Sequence, residues 1–439
     1  MNYKVAIFGS VANLLLVCAL SLQKSASLKT HTHNKLKILN DPIYGFIRIP
    51  NSLIFDIIEH PYFQRLRRIS QMGLSNLVYP GANHTRFHHA VGCMDLMQKT
   101  VRVLRVKGIH ISDEEEHALC IAILLHDIGH GPFSHALEHS IVNEISHEEI
   151  SLLFMKKLNN EFNGKLNLAI EIFTNKCSRK FLHQLISSQL DIDRLDYLKR
   201  DSFYTGVTEG NISSDRLIAM MNVVNDELVI EKKGIYSVEK FLIARRLMYW
   251  QVYLHKTGLV AENMMVKLLQ RAKELTDKGY DLELNGALNF FLNTKITSHD
   301  FSENILHEFS KLDDIDVLAA VKTWMHHSDL VLSTLSKMIF NRKLFKIELT
   351  DDPVNEDDRN NKIQYLREKY QVSENEAGYF VFSGTISNQA YTKEQPIKIL
   401  NKKGELTDIA EASDQLNLQA LSKPVVKHFI CYPKKMLLA

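Results

Sequence analysis

The chain has 439 residues, of which 45% are hydrophobic, 24% charged and 9% aromatic, a globular balance that excludes collagen, coiled-coil, disordered and disulfide-scaffold classes. Lys plus Arg number 53 against 51 Asp plus Glu, so the net charge of +2 supplies no global field for a polynucleotide or a membrane surface, and any anion site must be a local concentration of charge. The five cysteines lie far apart with no CxxC pair, which suits a reducing compartment, and a cytoplasmic location is expected.

Met1 to Lys4 precede an apolar run from Val5 to Leu22, with Ala19-Leu20-Ser21 resembling a cleavage site. Residues 1–33 therefore read either as a signal-like extension or as the product of an upstream start, with the functional chain opening near Asn34. In the second case no membrane association is expected. Residues 34–50 predict a short hairpin, because Leu36, Ile38, Phe46, Ile47 and Ile49 flank the turn-forming Asp41-Pro42-Ile43-Tyr44-Gly45. Helical patterning then dominates. Pro61 suits the first turn of a helix over 61–72, a second helix fits 86–107, and Ser112 to Glu115 is a capping box for a helix reaching about Asp127. The body of that helix, Ala118 to Leu125, is apolar on every side and belongs in a core. Further helices fit 147–160, 180–205, 213–224 and 237–276, with a small hairpin around Lys232-Lys233-Gly234. The acidic stretch 346–361 reads as a linker or loop between a main domain, 34–345, and a small α+β region, 362–439. Strands are expected there at Tyr379–Phe382, Ile397–Leu400 and Val425–Cys431. The fold class is mainly α.

Ten of the twenty histidines fall between His84 and His147, about one seventh of the chain. At the centre of this cluster His126-Asp127 closes an apolar helix, where two ionisable groups would each cost several kcal/mol of burial without compensation. A divalent cation compensates both, and two imidazoles with two carboxylates make a suitable set for Mn, Fe, Mg, Ni or Zn. His88 or His89 could supply the second imidazole. Downstream, helical spacing puts Asp193, Tyr197 and Asp201 on one face, with Asp191 and Asp196 elsewhere. Residue types alone leave both choices open. Arg245, Tyr249 and Tyr253 also share one helix face, a cation and two phenols that could face a ligand, or else a tyrosine stripe for the core.

The motifs Arg86-Phe87-His88-His89, His126-Asp127-Ile128-Gly129-His130-Gly131-Pro132-Phe133-Ser134-His135 and Asp191-Ile192-Asp193-Arg194-Leu195-Asp196-Tyr197 resemble those of the HD-domain phosphohydrolases. Within that superfamily the chain looks like the deoxynucleoside triphosphate triphosphohydrolases, over about residues 36–260. The resemblance implies an all-helical HD domain whose metal ligands are His89, His126, Asp127 and Asp193. It places His130, His135, His147 and Glu138 around the water and leaving group, where imidazoles titrating near neutrality move protons. Arg86 and Arg245 would hold phosphates, Tyr197 the sugar, and Gln71 and Asp201 its 3′-hydroxyl. Lys37, Asn40, Gln64 and Arg67 resemble a pocket for an activating guanine nucleotide, GTP or dGTP, with Glu59 where the family often has Asp. The alternative for this last segment is that Arg65, Arg67 and Arg68 form a solvated helix face.

The activity these features imply is metal-dependent hydrolysis of a deoxynucleoside triphosphate to deoxynucleoside and triphosphate, in a homo-oligomer of two or four subunits. Two alternatives remain: an HD-type hydrolase of a monophosphate, cyclic nucleotide or alarmone, and a catalytically weak nucleotide-sensing module. A nucleic-acid partner is not expected, because Lys423, Lys427, Lys434 and Lys435 form only a short basic tail.

Overall fold

A computed structural model describes residues 37–133, 145–284, 286–297, 300–414 and 423–435. The signal-like residues 1–33, His135 and Glu138 lie outside the described residues. The chain opens with an antiparallel hairpin, β1 (Ile38–Asp41) and β2 (Gly45–Arg48), whose turn places Gly45 at φ 75°, in the left-handed region that glycine adopts without Cβ strain. Helices α1 (Ser52–Glu59) and α2 (Pro61–Gln64) follow, and a 3-10 turn runs from Arg65 to Arg68. The expected helix over 61–72 is thus cut short. Ile69 turns extended and Ser70 pairs with Thr85, which brings Gln71 back beside the next helix.

The centre consists of α3 (Arg86–Val106), α4 (Asp113–Leu125), α5 (His147–Glu161), α6 (Asn167–Phe173), α7 (Lys180–Gln184), α8 (Ile192–Thr205) and α9 (Ser214–Met220). The Ser112–Glu115 capping box satisfies both end amides of α4, and Ala118 to Leu125 are all buried, as their uniform hydrophobicity requires. Helices α3 and α8 pack against each other, as do α3 and α4. Where one helix was expected over 180–205 there are two. Asp191 accepts from the amides of Ser188 and Arg194 and so starts α8 afresh.

Next come β3 (Met221–Val224) and β4 (Glu227–Glu231), joined at Asn225 and Asp226, both at positive φ, a backbone these two residue types tolerate. The hairpin turn therefore falls there, and Lys232–Gly234 is a 3-10 turn leading into α10 (Ile235–Met248). A π-helical turn, Tyr249–Tyr253, and a His255 cap interrupt the long helix expected over 237–276 before α11 (Lys256–Asp277). Helices α12 (Gly286–Asn293), α13 (Glu303–Phe309), α14 (Asp314–Trp324) and α15 (Leu330–Phe340) complete the helical body.

The last stretch carries β5 (Lys346–Thr350), α16 (Glu356–Tyr370), α17 (Glu374–Phe380), β6 (Phe382–Asn388), β7 (Lys398–Leu400), β8 (Leu406–Asp408), α18 (Ile409–Ala412) and β9 (Val425–Tyr432). Glu356, Asp357 and Asp358 sit in the first turn of α16, where the amide dipoles favour negative charge. Strand β7 adds in parallel to β4, and β9 lies between β5 and β6. The architecture is mainly α, with the hairpin at its start and small sheets towards its end. Among the described residues no helix is long and apolar enough to cross a membrane.

Candidate metal centre and active site

Three elements converge at the end of α4. His126 caps that helix, and Asp127 to His130 form the turn that follows. This turn lies flat against α5 because residue 129 is glycine: a Cβ there would stand 2.2 Å from the His147 carbonyl oxygen and 2.4 Å from the Ser151 amide nitrogen. The Ser151 hydroxyl locks the approach, donating to the His126 carbonyl at 2.7 Å and accepting from the Gly129 amide at 2.9 Å.

Helix α3 presents His89 and α8 presents Asp193 to this turn. His89 Nε2 lies 3.1 Å from Asp193 Oδ1 and 3.8 Å from Asp127 Oδ2. His126 Nε2 lies 3.4 Å from Asp127 Oδ1 and 3.5 Å from Asp193 Oδ1. Ligand atoms of His89, His126 and Asp127 all fall within 4.8 Å of one another. The far nitrogens are tethered: His89 Nδ1 bonds Asp196 at 2.8 Å, and His126 Nδ1 donates to the Ile123 carbonyl at 2.6 Å. Both Nε2 lone pairs are thereby turned inwards, the tautomer a metal ligand needs. Among the described residues the buried His126 Nε2 has no hydrogen-bond partner, a donor set that fits a cation. His88, the other candidate, instead accepts the Thr85 amide and caps α3, while Asp191 caps α8.

The charges balance in the same sense. Burial opposes ionisation of His126, yet Asp127 and Asp193 raise its pKa. Burial likewise opposes ionisation of Asp127, but His126, His130 and Arg86 hold its carboxyl well below the usual range. Two carboxylates thus stay ionised among basic groups, the state that binds a divalent ion. His130 differs: burial and then the Arg86 guanidinium lower it to about 3, so it is neutral, with Nδ1 buried and unpartnered among the described residues. Its ring stacks on His147 at 3.9 Å, and its Nε2 lies 3.4 Å from Asp127.

A cavity of about 320 Å³ opens beside this centre, lined by Gln71, Arg86, Tyr197, Asp201, Tyr249 and Tyr253 among others. The π-helical turn sets Tyr249 and Tyr253 edge to face at 5.2 Å, with Tyr197 6.0 Å beyond. Asp201 accepts from Tyr253 at 2.7 Å and pairs with His84 at 2.7 Å. Arg86 donates to Asp127 at 2.5 Å. Arg245, half-buried at the end of α10, holds Nε and Nη1 with no partner among the described residues, and Gln71 Oε1 is in the same condition. Sequence reasoning missed Asp196, His84, Ser151 and Glu262. Burial pushes the Glu262 carboxyl, on the cavity wall, up to about 7. The first three act through other side chains, so only the Asp196-to-Arg200 spacing left a trace in the sequence.

The basic segment ahead of the site is mixed rather than solvated. Arg65 is fully buried, donating to the Leu312 carbonyl at 3.1 Å and the Ile128 carbonyl at 2.7 Å, and burial lowers its pKa to about 9. It is therefore a structural clamp behind the His126-Asp127 turn. Arg67 is exposed, lies over the Phe87 ring at 3.6 Å and donates to Gln64 at 2.8 Å, while Gln64 donates to the Ile58 carbonyl. Lys37 lies 2.7 Å from the Phe55 ring centre, Asn40 pairs with Phe46 in the hairpin, and Glu59 is exposed at the end of α1.

The HD-domain model matches residues 86–201, and the model of an HD-associated region matches residues 212–283. The crystal structure of a phosphohydrolase from Bacteroides thetaiotaomicron superposes with a TM-score of 0.89 at 52% identity, covering 91% of this chain and 100% of that one. Uncharacterized protein YwfO of Bacillus subtilis is 31% identical over 421 residues, 91% of this chain and 93% of its own. The deoxynucleoside triphosphate triphosphohydrolase SAMHD1 homolog of Dictyostelium discoideum is 30% identical over 267 residues, 56% of this chain and 51% of that protein, so the match spans about half its length.

Proposed function

Because the chain belongs to the HD-domain phosphohydrolases, we propose that it hydrolyses deoxynucleoside triphosphates to deoxynucleoside and triphosphate, with a guanine nucleotide as activator. The observation that carries this reading is a cavity lined by Arg86, which donates to Asp127 of the His-Asp cluster, together with Gln71, Tyr197, Asp201, Tyr249 and Tyr253. Arg245, half-buried at the end of α10 with Nε and Nη1 unpartnered among the described residues, adds a second guanidinium, a group that binds a chain of phosphates bidentately. A sugar would pack against the wall formed by Tyr197, Tyr249 and Tyr253, with Gln71 Oε1, unpartnered among the described residues, placed to accept from a hydroxyl.

The ligands are His89, His126, Asp127 and Asp193, and a divalent cation held by them supplies Lewis-acid chemistry, lowering the pKa of a water and drawing charge from phosphoryl oxygens. Arg86, tied to Asp127, aligns the α-phosphoryl group with that cluster. Water oxygen attacks the α-phosphorus, and the bond from phosphorus to the 5′-oxygen breaks. The proton released by the water passes into the histidine set, and His147, stacked on neutral His130, with His135 delivers one to the departing 5′-oxygen. Glu138 completes the set of proton-transfer groups in this proposal. Lys37, Asn40, Glu59, Gln64 and Arg67 form the activator site, shared between subunits of a homodimer or homotetramer.

Product analysis by ion exchange tests this reading, using the protein with Mn²⁺, each dNTP in turn, and GTP present or absent. Intact triphosphate with deoxynucleoside is the expected result. Pyrophosphate or monophosphate would overturn it in favour of another HD-type hydrolysis, and nucleotide binding without release would favour a sensing module.

A further inference from the structure

Behind the metal ligands, buried polar groups form a line leading away from the cavity. His89 gives its Nδ1 side to Asp196 Oδ2 at 2.8 Å. One turn further along α8, Arg200 donates to both oxygens of Asp196, at 2.8 and 3.0 Å. Its remaining terminal nitrogen donates to Asp41 Oδ2 at 2.8 Å. Asp41, at the end of β1, uses its other oxygen to accept from the amides of Ile43 and Tyr44, at 2.9 and 3.0 Å. Asp196 and Arg200 are 0% exposed and Asp41 is 8% exposed.

The line has its own slot in the backbone. At Gly92 of α3 a Cβ would stand 2.1 Å from Arg200 Nη2 and 2.3 Å from Asp196 Oδ1, so a side chain there would collide with the ion pair. The Tyr44 ring covers Arg200 at 5.5 Å from the guanidinium carbon. Charges alternate along it, from the Asp41 carboxylate through the Arg200 cation and the Asp196 carboxylate to the His89 imidazole. Neutralising one member leaves its neighbour buried without its partner, a cost of several kcal/mol that rearrangement of the neighbour relieves. The movable end is the His89 ring, whose orientation the Asp196 bond sets.

We propose that Asp41, Arg200 and Asp196 are positioning residues for the metal ligand His89, so that the β1–β2 turn governs metal affinity from the far end of the line. This inference rests on the assignment of His89 as a ligand. Titration calorimetry with Mn²⁺ alone, on the full chain, tests it through Asp41→Asn, with Asp329→Asn as a control that weakens a buried pair with Arg271 outside the line.

Outer-shell changes weaken metal binding by about 10–100-fold. Asp41→Asn is expected to lose about 10-fold in Mn²⁺ affinity, with Asp329→Asn unchanged even where its melting temperature falls. Equal affinity in Asp41→Asn and the unsubstituted protein, or equal losses in Asp41→Asn and Asp329→Asn, would overturn the proposal while leaving the metal site intact. Absence of Mn²⁺ binding by the unsubstituted protein would overturn the ligand assignment itself. Should Asp41→Asn fail to fold, Arg200→Lys, which keeps the charge but cannot bridge both carboxylates, is expected to show the same loss, and normal binding by it would refute the line.

Discussion

Replacing Gly129 with alanine places a methyl group 2.2 Å from the His147 carbonyl oxygen, 2.4 Å from the Ser151 amide nitrogen and 2.8 Å from its hydroxyl. Two of the three atoms are backbone of α5, so no side-chain rotation clears them, and the helix must back away from the His126-Asp127 turn. Overpacking of this kind costs roughly 1–3 kcal/mol. The two Ser151 hydrogen bonds lost with it add about 1 kcal/mol each, for a total of roughly 4 kcal/mol. With an unfolding entropy of about 2.1 cal/mol/K per residue, a chain of this length has roughly 0.9 kcal/mol/K, so the melting temperature should fall by about 4–5 °C. Turnover should fall further, by about 100-fold, because His147 shifts by about 1 Å relative to Asp127. Calorimetric melting and a triphosphate-release assay measure the two effects separately. Ser151→Ala, which removes the bonds without the clash, should show about half the thermal shift and a smaller loss of rate. A Gly129→Ala protein that melts within about 1 °C of the unsubstituted one and keeps its rate would refute the argument that close approach of α5 shapes the site.

Asp127→Asn should abolish turnover and with it the stabilisation by Mn²⁺, which for the unsubstituted protein is about 2.7 kcal/mol at a hundred times Kd, read as the melting shift between Mn²⁺ and EDTA. Arg245→Ala should lower kcat/KM by about 100-fold, since the proposed donor to the phosphates is lost, and unchanged steady-state kinetics would place Arg245 outside the site. Arg67→Ala, at an exposed residue, should raise the GTP concentration needed for half-activation about 10-fold or more with no change in melting temperature. Glu262 carries a carboxyl raised from 4.5 to about 7 by burial. The folded state therefore holds a proton that the unfolded state has released, and stability falls as pH rises from about 4.5 to 7. Glu262→Gln should melt higher than the unsubstituted protein at pH 8 and alike at pH 4, and a pH-independent difference would contradict this.

The helical class, the core helix Ala118 to Leu125 and the His-Asp pair at its end were legible in the sequence because each depends on local pattern: uniform hydrophobicity, a capping box, and ionisable groups where burial forbids them uncompensated. The resemblance of three short motifs named the four candidate ligands. Spacing alone could not separate His88 from His89 or Asp193 from Asp191, because both members of each choice are the same residue type one or two positions apart. The structure separates them by what else they satisfy: His88 and Asp191 close the ends of α3 and α8. Interruptions were also hidden. The π-helical turn at Tyr249–Tyr253 and the restart at Asp191 cost little in local propensity and are set by packing. Above all, Asp41, Gly92, Asp196 and Arg200 lie on three different elements, and nothing in their sequence positions links the first two with the last two. Only the packing of the hairpin and of α3 against α8 brings them together, since a buried carboxylate and guanidinium persist only where the chain has folded each within reach of the other.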